Sequence, residues 1–188
     1  TIHKDTVNIL LDGNAMAAGL LENGHSRMVT PKKMNLDGGF LGAEESDYVP
    51  YIETCDKIHA QTNVAYGMFP NFITPTDTSG YPAILFWPKG LRETEFEWTQ
   101  LAPKWPGDEK PDYWNEQETS FDSIMDEDFQ NLEPMQRSHD AGVFESMPLN
   151  YQERRIYYYH QVIDDWIGRD NLPENIQVPN VLDPFIEI

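Results

Sequence analysis

One aspartate stands where a helix pattern calls for an apolar residue. Phe121, Ile124, Met125, Leu132 and Met135 recur at three-and-four spacing and define one stripe of a helix. Asp128 falls inside that stripe, between Met125 and Leu132. An ionised carboxylate facing a core costs on the order of several kcal/mol unless it is paired or bound to a metal. Two readings therefore stand. In the commoner one the helix is rotated, and Asp128 is a solvated surface acid beside Asp126 and Glu127. In the other it is a metal ligand or a member of a buried ion pair.

The histidines do not decide between them. His3, His25, His59, His139 and His160 form no HxxxH or HxH pair, so no complete zinc motif exists here. His160 falls on the apolar stripe Ile156, Tyr159, Ile163 and Trp166 and reads as a hydrogen-bonded core residue. His59 reads as the edge of a helix, while His25 and His139 have no local context that favours a site. His3 is followed by Lys4-Asp5-Thr6. The single cysteine, Cys55, excludes an internal disulfide and any cysteine-based zinc or iron–sulfur site within this chain. It fits a reducing cytoplasm. No GxSxG, P-loop or GxGxxG occurs, so acyl transfer and nucleotide binding have no support.

The elements that must position these residues are legible in outline. Residues 7–30 read as extended structure broken by small residues, and Pro31 to Gly42 as a loop. Asp47 to Gln61 has helical spacing through Val49, Ile52, Cys55 and Ile58. Val64–Thr74 and Tyr81–Trp87 are rich in β-branched and aromatic residues. Glu93–Leu101 alternates as a half-buried strand does. These three runs predict an antiparallel meander. A proline-rich connection, Ala102 to Asp112, leads to a helix over Asn115–Arg137, with Pro134 marking a kink or an early end. A second helix spans Asn150–Gly168, stopped by glycine. The tail from Pro173 reads as irregular. Strands first and helices afterwards indicate α+β, with the helices on one face of a sheet.

The 188 residues suit one domain. Thirteen lysines and arginines against 32 aspartates and glutamates give a formal charge of -19, which disfavours nucleic acid and anionic membranes as partners. A neutral or apolar small molecule is permitted. No run approaches the ~20 apolar residues of a membrane span, and no signal peptide is evident. The expectation is a soluble, cytoplasmic fragment of a longer protein.

The order of segments resembles a known family. Met68-Phe69-Pro70-Asn71, then Phe86-Trp87-Pro88, then Glu93-Thr94-Glu95 with Trp98, is similar to the sheet of the catalytic α subunit of Rieske non-heme iron aromatic-ring-hydroxylating oxygenases. Asp126-Glu127-Asp128-Phe129-Gln130-Asn131-Leu132-Glu133, followed by Gln136, resembles the helix that carries that family's carboxylate iron ligand. In that pattern the ligand is the acid before an x-x-Asn-x-Glu stretch, which here is Asp128. Thr1-Ile2-His3-Lys4-Asp5-Thr6 is similar to the stretch around the second histidine ligand, so the resemblance assigns His3 to the metal.

The resemblance implies a helix-grip fold, an antiparallel sheet wrapped around long helices. It implies a mononuclear Fe(II) held by two histidines and a carboxylate, with open positions for dioxygen and substrate. It also implies a [2Fe–2S] Rieske cluster in an N-terminal domain that, like the first histidine, lies upstream of Thr1. Iron well below one equivalent is therefore expected in residues 1–188 alone. The implied partners are an aromatic or polycyclic substrate, O2, a ferredoxin or reductase, and further α subunits in a trimer, with or without β subunits. Phe69, Ile73, Phe86 and Trp98, with Ile124 and Met125, are expected to border an apolar cavity near the iron. The competing reading is a metal-free helix-grip module that carries an apolar small molecule.

Overall fold

The computed structural model describes residues 17–31, 50–143 and 146–187. Seven strands form one sheet: β1 (Ala17–Leu21), β2 (Ser26–Pro31), β3 (Thr62–Met68), β4 (Phe72–Thr76), β5 (Tyr81–Gly90), β6 (Glu93–Leu101) and β7 (Ile186–Glu187). Their spatial order is β6-β5-β4-β3-β2-β1-β7. The first six form an antiparallel meander, and β7 pairs parallel with β1. The helices are α1 (Lys57–Gln61), α2 (Asp112–Asp140) and α3 (Arg154–Ile167). The fold is α+β.

Register determines which residues share a face, because side chains alternate across a strand. Ala18, Met28, Ala65 and Pro75 form one cross-strand row. Gly67, Ile73, Ile84 and Trp98 form another on the same face. Both long helices pack on this face. Trp98 meets Phe121 of α2 with ring centroids 4.5 Å apart, and Phe96 meets Phe129 at 4.9 Å. At the other end of the sheet Leu20 packs against Tyr158 and Val162 of α3, joined by Phe69, Leu182 and Ile186. Tyr158 locks that end by donating to the Leu21 carbonyl (2.8 Å) and accepting from the Gly24 amide (3.2 Å).

Several expectations change. The run Val64–Thr74 is two strands, turned at Phe69–Asn71 with a cis Phe69–Pro70 peptide. Composition alone cannot separate one long strand from a tight hairpin. The helix expected over Asp47–Gln61 is confined to α1 where it is described, because Asp56 caps it by accepting from the His59 amide at 2.9 Å. Helix α2 runs through Pro134 to Asp140. The carbonyl that Pro134 leaves without an N–H partner belongs to Gln130, which is exposed and open to water.

The stripe on α2 holds at Phe121, which is buried, and at half-buried Ile124 and Met125. It fails at Leu132 and Met135, which are 56% and 53% exposed. The stripe expected inward on α3 also faces out: Ile156 and Trp166 are exposed, and so is His160. Instead α3 turns Tyr158, Gln161, Val162 and Asp164 inward. Gln161 donates to Asp183 at 2.5 Å, and Asp164 accepts from the Val178 amide at 2.6 Å. These polar groups hold the tail against α3 and so place β7 beside β1. The tail is thus anchored, although it is built largely of single 3-10 turns.

The approach to α3 and its end follow local chemistry. Asn150 accepts from the amides of Gln152 and Glu153, and Glu153 accepts from the Asn150 amide, a complete capping box on the 3-10 turn Tyr151–Glu153 that leads into α3. Gly168 at φ 87 terminates the helix.

The tight turn before β5 demands glycine. Gly80 has φ 139, and a Cβ there would lie 2.5 Å from the Leu101 carbonyl oxygen and 3.2 Å from the Trp114 ring. Gly80→Ala is expected to lower unfolding free energy by about 2 kcal/mol or more. Urea denaturation checks this, and an unchanged midpoint would contradict it.

Candidate functional site

The two helices stand at opposite ends of one sheet face, α2 over β5 and β6, α3 over β1. Between them the central strands present small side chains, Ala65 and Gly67, and the 44% exposed Ile73. This strip is the part of the sheet face that lies between the two helices. Its β5–β6 side is aromatic, with Phe86 and Phe96 at 5.5 Å and Phe129 beyond them.

Asp128 is half-buried. It lies two helical turns from buried Phe121 and one turn from half-buried Met125, so its side chain leaves α2 on the sheet side. Asp126 and Glu127 are exposed. Asp128 is thus distinct from the acids beside it, although the apolar stripe around it does not extend to Leu132.

Of the apolar residues expected to border a cavity, Ile73 and Phe86 share the sheet face that the helices cover, and Ile124 and Met125 sit half-buried on α2. Phe69 lies elsewhere. It fills the space between α3 and the β3–β4 turn, 5.5 Å from the Tyr159 ring and 5.6 Å from Trp166. His3 lies outside the described residues. Among the described residues no group of three or more His, Cys, Asp or Glu is placed to hold a metal. His25 is structural, its Nδ1 accepting from the Phe69 amide at 3.0 Å. His59 lies 2.8 Å from Asp56 and stacks on Tyr66.

The far end of α2 is tied to the β5–β6 turn by an ion pair between Arg92 and Asp140. Hydrogen bonds from Arg92 and then Gln136 hold the Asp140 carboxyl below its ordinary value of 3.8. A depressed carboxylate favours the fold above its unfolded pKa, and that contribution is lost as pH falls through the folded value. The tie is therefore expected to persist at pH 5 and to dissolve only in acid below about 3.8. Side-chain carboxyl NMR titration checks this; a midpoint at or above 3.8 for Asp140 would contradict it.

Sequence reasoning missed Arg155. It lies one turn before Tyr158 on the inward face of α3, with its Nη2 3.9 Å from the Met28 sulfur. The signal was present as the spacing 155, 158, 162, masked by the more hydrophobic stripe one residue on.

The site's setting is thus a six-strand meander with two long helices on one face, the first of them carrying half-buried Asp128. The family model for the ring hydroxylating alpha subunit (catalytic domain) matches residues 1–169. The chain belongs to this family. No curated protein and no solved structure matches the chain. No helix among the described residues is long and apolar enough to cross a membrane.

Proposed function

We propose that residues 1–188 are a piece of the mononuclear-iron domain of a Rieske-type oxygenase that hydroxylates an aromatic or polycyclic substrate. The observation that carries this is the inward, half-buried Asp128 on α2, in a chain whose family match spans residues 1–169. The placement of both long helices on one face of a meander supports a helix-grip arrangement.

The donor chemistry fits in part. A carboxylate oxygen suits Fe(II), and apolar side chains such as Phe86 and Ile73 on the sheet face suit an aromatic ring. Asp128 and His3 are the residues of this chain that would hold the metal. Bound Fe(II) would supply oxygen activation, with an electron from the [2Fe–2S] cluster of an upstream domain, fed by a ferredoxin or reductase. The chain's own part is positional. Asp128 would fix one side of the metal and offset part of its charge. Phe86, Ile73, Ile124 and Met125 would exclude water and hold the ring. A trimer of α subunits, with or without β subunits, is the assembly that the reading implies.

The test is hydroxylation of naphthalene by the longer protein under 18O2 with a reducing partner. Product carrying 18O is expected. Naphthalene that binds but is never oxidised would overturn the oxygenase reading in favour of an apolar-ligand carrier.

A further inference from the structure

Two buried donors on α2 face one small cavity. Trp114 and Gln117 lie three residues apart in the sequence and so share a side of the helix. They are only 2% and 7% exposed. The indole Nε1 of Trp114 and the side-chain Nε2 of Gln117 meet no acceptor among the described residues. A buried N–H without a partner carries the full cost of its desolvation. Native proteins therefore give such groups a protein acceptor or an ordered water.

Both side chains line a cavity of about 20 Å³ between the start of α2 and the turn from β4 to β5. The turn supplies the opposite wall, with Asp77, Ser79 and Gly80. Asp77 and Gly80 exchange backbone hydrogen bonds across it, at 3.1 and 3.3 Å. The turn also orients the Asp77 carboxyl group, whose Oδ1 accepts from the Thr78 hydroxyl at 3.0 Å and the Ser79 amide at 3.1 Å. A carboxylate is acceptor-only and has about four lone-pair positions, so it serves several donors at once.

Size and polarity together select the occupant. One water needs roughly 10–15 Å³, so the cavity suits a single water and is too small for an organic ligand. Two inward N–H groups disfavour a metal cation, and a carboxylate across from them disfavours an anion. Water both accepts and donates, and so answers both walls.

We propose that this cavity binds one structural water, which accepts from Trp114 Nε1 and Gln117 Nε2 and donates to the Asp77 carboxylate. The site stands at the start of α2, upstream of Asp128, and is independent of the oxygenase reading. It adds a hydrogen-bonded link between α2 and the β4–β5 turn to the packing of the Trp114 ring.

The experiment is a crystal structure of the full chain, paired with one of Gln117→Met. In the wild type a single isolated density peak is expected at about 2.7–3.2 Å from both nitrogens, as well ordered as the side chains around it. Gln117→Met keeps the length of the side chain and removes one donor. The peak should then weaken, because the water keeps two of its three partners. A wild-type structure with no peak there, at a resolution where surface waters are ordered, would overturn the inference. So would an acceptor from the chain itself seated on Trp114 Nε1, or a peak equally strong in the methionine variant. The wild-type structure decides even if that variant fails to fold.

Discussion

Asp128→Ala in the complete enzyme is expected to abolish hydroxylation, a loss of about a hundredfold or more, since even groups one step removed from a metal cost 10–100-fold. The argument runs from position to chemistry. Asp128 leaves α2 on the sheet side and is half-buried, whereas Asp126 and Glu127 are exposed. In the proposed site that carboxylate would be a ligand of the iron. In the proposed enzyme the Rieske cluster would occupy another domain, so its visible absorption should be unchanged. Asp126→Ala should alter turnover by less than about twofold, as surface changes do. Turnover retained by Asp128→Ala would remove the carboxylate from the site.

The largest expected loss of stability is at Trp114. Its ring is 2% exposed, beside fully buried Tyr113 at a centroid distance of 4.9 Å, and Trp105 covers the pair. It also sits against the turn at Gly80. Trp114 thus fastens the start of α2 to the sheet, upstream of Phe121 and Asp128. Trp114→Ala is expected to cost about 3–5 kcal/mol, the transfer of the ring plus the cavity it leaves. Trp166→Ala is the control. That ring is 73% exposed, and its loss should cost less than about 1 kcal/mol. Equal denaturation midpoints for the two variants would contradict this account of how α2 is held.

The sequence made the architecture readable where local pattern and global packing agree. Glu93–Leu101 shows alternation that survives in the structure, with Phe96 and Trp98 half-buried and Glu95, Glu97 and Thr99 exposed. Asn150 caps the 3-10 turn that leads into α3, and Gly168 ends α3, because capping is local chemistry. The failures share a cause, which is that hydrophobic spacing reports a stripe but not its partner. On α3 the more apolar stripe points outward, because the inward side is committed to hydrogen bonds with a tail that is distant in sequence. The same rotation hid Arg155. On α2 the stripe was read too far, since Leu132 and Met135 lie on the right side of the helix but emerge into solvent. Phe69 was placed in the pocket because Val64–Thr74 read as one strand; the turn carries its ring to α3 instead. Asp128 drew notice because it breaks a pattern, and noticing a broken pattern needs no knowledge of the partner; the structure adds that it is half-buried on α2.

Iron analysis of the longer protein tests the central claim most directly. The claim is that Asp128 holds a mononuclear Fe(II). Wild-type protein should contain one iron per chain beyond those of the Rieske cluster. Asp128→Ala should lose that iron alone, with the cluster spectrum and the melting temperature preserved. An Asp128→Ala protein that keeps its full mononuclear iron would contradict the account.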